Sequence, residues 1–271
     1  MIYILNKNKR QLIKPTIFPD GTSQVWKLEL NDYANSSVKL IWHFENEAEL
    51  IWLNQTIALL NASGITIEEL YIPYLPYARQ DKPVSNSTTF AKEVFLQMIL
   101  RSGLNKITTL DAHSNNVSIQ SYSALPYIAK AIAEYKPNVL VFPDAGAYAR
   151  YAKEFNKIEC SILVLDKVRD QESGVIKSLI LDVKLSSSDF LEKDKSQQVR
   201  MLIIDDICDG GATFISASLY LHQMYDCEVC LYVTHGIYSK GFESLINSGI
   251  SRFYTTQSLI KNTTAYALEE F

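Results

Sequence analysis

Eight short apolar runs recur along this chain, and most of the intervals between them are long enough to hold a helix. Strands that alternate with helices favour parallel sheets, because parallel neighbours need a crossover connection. Between them, Glu47 to Ala62 and Thr89 to Ile99 place apolar residues at steps of three and four, which is typical of amphipathic helices. The predicted strands are Val38 to Trp42, Glu69 to Ile72, Ile107 to Leu110, Val139 to Phe142, Ile162 to Leu165, Met201 to Ile204, Glu228 to Val233 and Arg252 to Thr255.

The strands fall into two groups, before and after about residue 125, and this grouping predicts two similar α/β domains. We expect the domains to span residues 1–125 and 126–271. A chain of 271 residues with 47% hydrophobic residues can form two cores of ordinary size. Ligands of open α/β sheets bind where strands end, so we expect the active site in the cleft between the two halves.

The composition excludes several classes of function. A net charge of −4 provides no general positive field for a nucleic-acid backbone. No apolar stretch approaches the roughly 18 residues that a membrane span needs, and the order of the first residues does not fit a signal peptide. We therefore expect a cytoplasmic protein that binds neither nucleic acid nor membrane.

The four cysteines are predicted to be reduced thiols, with Cys227 and Cys230 in the core rather than on zinc.

The segment Val199 to Thr213, with the sequence VRMLIIDDICDGGAT, combines an apolar run, three carboxylates and two glycines. The run Met201 to Ile204 predicts a central strand, the glycines predict a sharp turn, and a helix should begin near Thr213. Two adjacent carboxylates, Asp205 and Asp206, can bind the two hydroxyls of a ribose, while backbone N–H groups of the turn can surround a phosphate. The pattern therefore predicts a sugar-phosphate site. The alternative is an ordinary strand-to-helix turn with solvated acids.

This segment resembles the phosphoribosyl-diphosphate (PRPP) binding loop of type I phosphoribosyltransferases and ribose-phosphate pyrophosphokinases. The upstream segment Tyr71 to Lys82, YIPYLPYARQDK, resembles the ATP-contacting PYxxYARQD element of the pyrophosphokinases, which the phosphoribosyltransferases lack. Five further blocks occur in the order of that family. The chain is identified as a divergent member of the ribose-phosphate pyrophosphokinase family. The five blocks are Phe18 to Thr22 (FPDGT), Leu110 to Ser114 (LDAHS), Phe142 to Gly146 (FPDAG), Asp166 to Arg169 (DKVR) and Thr234 to Gly236 (THG).

The resemblance implies an α/β fold of two similar phosphoribosyltransferase-like domains, each with a mainly parallel sheet flanked by helices. The amino-terminal half would bind ATP and the carboxy-terminal half would bind the ribose phosphate. The implied activity transfers the β,γ-diphosphate of ATP to the anomeric hydroxyl of ribose 5-phosphate, giving PRPP and AMP, with Mg²⁺ as cofactor. The implied assembly is a homodimer or a higher homo-oligomer in which subunits share the adenine site.

The resemblance also implies roles for individual residues. Lys167 and Arg169 match the two cations of a mobile catalytic loop, and His113 and Asp144 match the residues that place magnesium. On composition alone, Asp166 to Arg169 could equally be a solvated charged edge, and His113 a core histidine. The implied ATP-binding residues are Phe18, Asp20, Thr22, Arg79, Gln80, Asp81 and His113, and the implied ribose-phosphate-binding residues are Asp205, Asp206, Asp209, Gly210, Gly211, Ala212 and Thr213.

The phosphate turn departs from the common form of the family. It reads Gly210-Gly211-Ala212-Thr213 where the family has Thr-Gly-Gly-Thr, so one hydroxyl donor is missing. A lost hydrogen bond to a charged group costs on the order of 1.5 to 3 kcal/mol unless another donor replaces it. An alternative acceptor is therefore ADP-ribose, on which virus-encoded relatives of the family act in NAD salvage.

The polar segment Ser186 to Gln198 is predicted to be an exposed insertion.

Two other classes of function remain open. A phosphoribosyltransferase that consumes PRPP would explain the loop after Ile204 but not the amino-terminal half. A catalytically silent regulatory subunit is the other, and the presence of His113, Lys167 and Arg169 argues against it.

Overall fold

The computed structural model describes residues 1–7, 9–33, 36–81, 85, 87–114, 118–155, 160–169, 176–185, 198–259 and 266–268. Side chains are described for these residues except 152–155, 166–169, 176–185 and 266–268. The predicted insertion therefore lies outside the described residues, apart from Gln198, which is exposed. The chain divides into two compact units, Met1–Ser123 and Ala124–Phe271.

The described part of the amino-terminal unit is built on one large sheet and one small hairpin. Its elements are β1 (Ile2–Asn6), β2 (Lys9–Leu12), β3 (Thr16–Ile17), β4 (Ser23–Gln24), a 3-10 helix (Leu30–Tyr33), β5 (Ser37–Trp42), α1 (Glu49–Ala62), β6 (Thr66–Ile72), α2 (Ala91–Leu100), β7 (Ile107–Leu110) and β8 (Gln120–Tyr122). The large sheet has the strand order β2-β1-β5-β6-β7-β8. Strands β5 to β8 are parallel, and β1 is antiparallel to both of its neighbours. Strands β3 and β4 form the separate hairpin.

The core of this unit lies between the sheet and its two helices. In α1, the buried residues Leu53, Ile57 and Leu60 follow one another at steps of four and three, which confirms the predicted amphipathic helix. Helix α2 buries Phe95 and Ile99 against the same cluster of side chains. Both helices begin two residues later than the sequence predicted.

The described part of the carboxy-terminal unit has one seven-stranded sheet with helices on both faces. Its elements are α3 (Leu125–Tyr135), β9 (Val139–Phe142), α4 (Ala145–Phe155), β10 (Ser161–Arg169), β11 (Ile176–Leu185), β12 (Val199–Cys208), α5 (Ala212–Met224), β13 (Cys227–Gly236), α6 (Glu243–Asn247), β14 (Ile250–Thr256) and β15 (Tyr266–Leu268). The strand order is β11-β10-β9-β12-β13-β14-β15, and only β11 is antiparallel to its neighbour.

The central strands of this sheet are buried on both faces, which explains why they are continuous apolar runs rather than alternating ones. In β12, Met201 and Ile203 belong to one core cluster, whereas Leu202 and Ile204 belong to the cluster on the opposite face. The free thiols of Cys227 and Cys230 are likewise buried in the two clusters, so their assignment to the core is confirmed.

All eight predicted strands are present, and the predicted α/β class with mainly parallel sheets flanked by helices is confirmed. Several strand boundaries were wrong, since β10 extends to Arg169 rather than Leu165 and β13 to Gly236 rather than Val233. Strand β12 was predicted to end at Ile204, but it continues to Cys208 because its backbone stays paired with β13 through Gly236. Asp205 and Asp206 therefore lie within the strand rather than after it. Among the described helices, none is both long and apolar enough to cross a membrane.

Truncation of a central core residue should destabilise the amino-terminal unit selectively. Leu40 on β5 is fully buried, so we expect Leu40→Ala to lower the free energy of unfolding by about 2–5 kcal/mol. All three tryptophans of the chain lie in this unit, so tryptophan fluorescence during a denaturant titration reports its unfolding. The control is Val94→Ala on α2, where the side chain is exposed and the change should stay within about 0.5 kcal/mol. An equal effect of both substitutions would contradict the assignment of Leu40 to the core.

Candidate active site

The first group of predicted ATP-binding residues lies in the β3–β4 hairpin. The carboxylate of Asp20 accepts hydrogen bonds from the Thr22 backbone N–H at 3.0 Å and from the Thr22 hydroxyl at 2.7 Å. These two bonds hold the pKa of the exposed Asp20 below its usual value. The Phe18 N–H donates to the carbonyl of Thr22 at 2.8 Å and closes the turn. Asp20 and Thr22 thus stabilise the turn, while the Phe18 ring is 36% exposed and offers an apolar face to a ligand.

The hairpin is attached to helix α1. The side-chain amide of Gln55 donates to the Ser23 carbonyl at 2.9 Å and accepts the Val25 N–H at 2.7 Å. The indole N–H of Trp52 donates to the Ser23 hydroxyl at 2.9 Å. These bonds hold a two-residue strand that would otherwise be marginal.

The second group follows β6, where the chain makes an unusual turn at Tyr77. Tyr77 has φ of 60°, a left-handed conformation that is rare for a bulky residue. Its ring packs on Phe95, with centroids 5.1 Å apart, and its hydroxyl donates to the Glu47 carboxylate, which raises the pKa of Tyr77 to about 12. The Gln80 N–H donates to the Tyr77 carbonyl at 2.9 Å. The turn leaves Arg79 and Gln80 exposed, and Asp81 half-buried.

The loop after β7 carries His113 and is held by the neighbouring strand β8. Asp111 is buried and has φ of 43°, and its N–H donates to the Tyr122 carbonyl at 2.8 Å. The Ala112 N–H donates to the Ser121 hydroxyl at 2.9 Å. His113 follows this turn and is half-buried. Because β6 and β7 are parallel neighbours, the loops that carry Arg79 and His113 leave the same edge of the sheet.

Lys92 connects these two loops and was not predicted from the sequence. Lys92, in the first turn of α2, is only 3% exposed. Its ammonium donates to the Ser114 carbonyl at 3.2 Å and to the Ser114 hydroxyl at 2.5 Å, and its backbone N–H donates to the Gln80 carbonyl at 3.3 Å. Lys92 lies three residues before Phe95 and seven before Ile99, on the apolar stripe of α2. A lysine at such a position was the signal that could have identified it.

In the carboxy-terminal unit, the ends of β9 and β12 bring together three predicted carboxylates, Asp144, Asp205 and Asp206, which we call the carboxylate cluster. Asp206 is 3% exposed, and its carboxylate lies 3.1 Å from the guanidinium of Arg150 on α4. Asp205 accepts the Asp206 N–H at 2.9 Å. Asp144 accepts the Ala147 N–H at 2.8 Å and so caps the start of α4. Sequence analysis did not identify Arg150, which neutralises one of the three charges.

The carboxylate cluster strongly perturbs Asp205. Burial of its carboxylate raises the pKa of Asp205 well above the usual range, and repulsion from the charges of Asp206 and Asp144 raises it further. The site therefore contains a carboxylate that resists ionisation until a cation or a hydrogen-bond donor reaches it. This is the kind of perturbation that is enriched at functional sites.

The glycine turn follows β12 and leads into α5. Gly211 has φ of 78°, and its carbonyl accepts the N–H groups of Phe214 and Ile215 at 3.0 and 2.9 Å. Helix α5 begins at Ala212, one residue before the predicted start. The N–H groups of Ala212 and Thr213 thus belong to the first turn of a 13-residue helix, where backbone donors favour an anion.

A second loop, Ile237–Gly241 after β13, lies against the glycine turn. The N–H groups of Ile237 and Tyr238 donate to the Cys208 carbonyl at 2.8 and 3.1 Å. Ser239 donates to Asp209 twice, through its N–H to the carbonyl at 3.2 Å and through its hydroxyl to the carboxylate at 2.5 Å. Asp209 therefore has a structural partner in this loop.

The THG block that precedes this loop has a structural role for its histidine. His235 is buried, and its Nδ1 lies 2.8 Å from the Ser258 hydroxyl, which in turn donates to the Thr234 carbonyl at 3.2 Å. These contacts join the ends of β13 and β14.

The two predicted catalytic cations lie on β10. The backbone of Lys167 pairs with Leu179 and that of Arg169 with Ile176 of β11. The resemblance predicts a loop at this position, whereas the backbone extends the strand. The side chains of Asp166, Lys167 and Arg169 lie outside the described residues, so their catalytic roles stay predictions.

The donor set limits how a metal could be held. Within the described residues, no group of three or more His, Cys, Asp or Glu side chains is arranged to hold a metal ion. Mg²⁺ is commonly held by one or two carboxylates together with phosphates and waters. The carboxylates present, with the raised pKa of Asp205, therefore fit a cation that is bound together with a phosphorylated ligand.

The sequence is similar to those of known ribose-phosphate pyrophosphokinases. No protein-family model matches the sequence. The chain is 24% identical over 262 residues to a ribose-phosphate pyrophosphokinase of Sulfurisphaera tokodaii, covering 91% of this chain and 84% of that protein. It is 28% identical over 228 residues to the ribose-phosphate pyrophosphokinase of Rhizobium meliloti, covering 80% of this chain and 68% of that protein. The resemblance to the ribose-phosphate pyrophosphokinases is confirmed.

The fold is also shared with a solved structure. A phosphoribosylpyrophosphate synthetase from Mycobacterium smegmatis matches with a TM-score of 0.73 at 18% identity, covering 95% of this chain and 86% of that chain. At this identity the match supports the fold. The similarity to the pyrophosphokinases includes residues of both compact units, as the sequence blocks predict.

Removal of the perturbed charge should stabilise the protein in a pH-dependent way. Because the pKa of Asp205 is higher in the folded than in the unfolded state, wild-type stability from this group is largest below the unfolded pKa and decreases as the pH rises toward the folded pKa. Asp205→Asn resembles the protonated state at every pH. We therefore expect the melting temperature of the variant to exceed that of the wild type by a margin that grows from about pH 4 to neutral pH. The margin grows because the wild type loses the stability contributed by protonated Asp205 as the pH rises, whereas asparagine does not titrate. Thermal unfolding of both proteins across this range tests the prediction, and a margin that shrinks with rising pH would contradict it.

The two glycines of the turn should respond differently to a methyl group. A Cβ at Gly211 would lie 3.0 Å from the Leu245 side chain in a left-handed backbone conformation, so Gly211→Ala should cost about 1–3 kcal/mol. A Cβ at Gly210 would meet only the flexible methylenes of Lys240 at 3.5 Å, so Gly210→Ala should change stability by less than about 1 kcal/mol. Circular dichroism during denaturant unfolding measures both. Equal effects would show that the turn is not held as described.

Proposed function

We propose that this chain is an ATP diphosphotransferase that acts on a ribose phosphate. It transfers the β,γ-diphosphate of ATP to the anomeric hydroxyl of ribose 5-phosphate and yields PRPP and AMP. The observation that carries the proposal is the similarity to ribose-phosphate pyrophosphokinases over 91% of the chain, which extends through both compact units. A phosphoribosyltransferase resemblance confined to the PRPP loop would not extend through the amino-terminal unit.

The site chemistry supports this reaction. The anomeric oxygen attacks the β-phosphorus and loses its proton, the bond between the β-phosphorus and the bridging oxygen breaks, and AMP leaves with that oxygen. Such transfers depend on positioning and on neutralisation of charge. Asp205 and Asp206 are proposed to bind the ribose hydroxyls, and the N–H groups of Ala212 and Thr213 the 5′-phosphate. Lys167 and Arg169 are proposed to stabilise the charge on the transferred group and on the leaving oxygen.

Magnesium is proposed as the cofactor. His113 and Asp144 are the proposed positioning residues, and the remaining positions would be taken by phosphate oxygens and water. When bound, the ion neutralises phosphate charge. The hydrogen bond from Ala147 orients the Asp144 carboxylate.

The adenine end of ATP is proposed to contact Phe18, with Arg79 on the phosphates and Gln80 and Asp81 beside it. The exposure of the Phe18 ring and of Arg79 supports ligand-binding roles for both. Two exposed apolar side chains, Ile17 on the hairpin and Trp26 two residues after it, support the further proposal that a neighbouring subunit of a homo-oligomer completes the adenine site.

A second acceptor is supported by one specific observation. Position 210 is glycine, so the turn lacks the hydroxyl that a threonine would direct at a 5′-phosphate. ADP-ribose carries less charge on its ribose-linked phosphate than ribose 5-phosphate does, and it needs more space. The same diphosphate transfer onto ADP-ribose, as in NAD salvage, is therefore the second candidate.

The decisive experiment incubates the protein with Mg-ATP and either ribose 5-phosphate or ADP-ribose, and identifies the products by phosphorus NMR. We expect AMP release with at least one acceptor.

Lys167→Ala should lower kcat by about 10²–10³-fold with a smaller effect on KM, because the lysine acts on charge that develops in the transition state. Lys130→Ala on α3 removes one charge elsewhere in the same unit and should leave kcat unchanged.

Two results would overturn the proposal. One is the absence of AMP release with either acceptor. The other is release of pyrophosphate from PRPP and a nucleobase without ATP, which would identify a phosphoribosyltransferase.

A further inference from the structure

The side chain of Lys240 lies over the glycine turn at the position where the turn lacks a hydroxyl. A Cβ built on Gly210 would meet the Cδ and Cε atoms of Lys240 at 3.5 Å and the Cγ at 3.8 Å. These are ordinary van der Waals distances, so the lysine stem extends directly above residue 210. Sequence analysis assigned no role to Lys240.

The backbone on either side of Lys240 is held in place. Ser239 donates two hydrogen bonds to Asp209, the residue that precedes Gly210. Tyr238 is buried and left-handed, with φ of 46°, and its ring packs on that of Phe242 in a tilted arrangement with centroids 4.3 Å apart. A bulky residue in this conformation persists only where its surroundings over-determine it. The two loops therefore keep Lys240 beside the turn, while its own side chain is exposed and adjustable.

The carboxylates around the glycine turn would repel a phosphate, so a cation beside the turn would favour its binding. The carboxylate cluster and Asp209 carry negative charge close to the place where a phosphate would be bound, and repulsion would oppose an anionic ligand. Arg150 is engaged with Asp206. Within the described part of the chain, no carboxylate lies within ion-pair distance, 4.0 Å, of the Lys240 ammonium, so its charge is available to a ligand.

We propose that Lys240 binds the 5′-linked phosphate of the ribose acceptor and replaces the hydroxyl that position 210 lacks. This inference rests on the proposed function and adds a specificity-determining residue to it. An ammonium on a flexible stem is a point charge that tolerates different phosphate geometries, whereas a threonine hydroxyl at position 210 would be fixed close to the backbone. The lysine therefore suits a site that accepts either the phosphate monoester of ribose 5-phosphate or the diphosphate-linked ribose of ADP-ribose.

The binding of the two acceptors should depend on Lys240 to different extents, because their ribose-linked phosphates carry different charges. The monoester of ribose 5-phosphate carries almost two negative charges at neutral pH, and the ribose-linked phosphate of ADP-ribose carries one. Loss of the ammonium should therefore weaken the binding of ribose 5-phosphate more than that of ADP-ribose.

The test compares substitutions that separate charge from packing. Lys240→Met keeps the methylenes over Gly210 but removes the charge, and we expect it to raise the KM for ribose 5-phosphate by about 10- to 100-fold with a smaller change in kcat. Lys240→Arg keeps the charge and should stay within about threefold of the wild type. Lys130→Met on α3 is the matched control, and its KM should equal that of the wild type.

A second readout does not depend on turnover. Titration calorimetry with ribose 5-phosphate alone should show the same order of affinities, and the binding of Lys240→Met should depend less on salt than that of the wild type. A merely structural role for the lysine would alter stability without altering this salt dependence.

The missing hydroxyl provides a rescue experiment. Gly210 is not in the left-handed region, so a side chain can be added there without backbone strain. Gly210→Thr in the Lys240→Met background should recover affinity for ribose 5-phosphate by about tenfold, because the threonine hydroxyl supplies the absent donor.

The outcomes distinguish this inference from the proposed function. A wild-type protein that releases no AMP with either acceptor overturns the proposed function. A wild-type protein that is active, together with a Lys240→Met variant of unchanged KM and affinity, overturns the role of Lys240 and leaves the proposed function intact.

Discussion

The pairing of β12 with β9 and β13 is the constraint on which the candidate site depends. Parallel pairing on both edges and burial on both faces hold the centre of this strand, Met201 to Ile203, firmly within the sheet. The strand remains paired as far as Cys208, and the carbonyl of that residue also binds the loop after β13. Asp205, Asp206, the glycine turn and the loop that carries Lys240 are therefore all positioned by one buried strand.

The same strand concentrates negative charge where a sugar phosphate is proposed to bind, and electrostatics explains how this is tolerated. Asp206 is paired with Arg150, Asp144 caps a helix, and Asp209 accepts hydrogen bonds from Ser239. Asp205 is left with a raised pKa because burial and its neighbours oppose its ionisation. A site of this kind is stabilised by its ligand, since a cation or a hydrogen-bond donor beside Asp205 favours the ionised form that burial opposes.

Backbone strain occurs at corresponding places in the two units. Tyr77, Asp111 and Tyr238 are left-handed residues other than glycine, and each lies in the loop that follows a strand, β6, β7 or β13. Each is held by specific contacts, such as the packing of Tyr77 on Phe95 and of Tyr238 on Phe242. Strained residues of this kind tend to occur at ligand-binding sites, where they direct neighbouring side chains.

The sequence alone was enough to predict the α/β class, eight of the strands and part of the candidate site. The eight predicted strands, the amphipathic faces of α1 and α2, and the burial of Cys227 and Cys230 follow from the spacing of apolar residues, because each depends only on local periodicity. Seven further strands of the described residues were not predicted, namely β1, β2, β3, β4, β8, β11 and β15. The candidate sugar-phosphate segment from Asp205 to Thr213 was recognisable for a different reason, because its residues are contiguous in the chain. Contacts between distant segments were decided only by the tertiary structure. The burial of Lys92 beside Ser114, the pairing of Arg150 with Asp206 and the position of Lys240 over Gly210 each join side chains from separate elements, and charge or hydrogen bonding between them leaves no periodic trace in the chain.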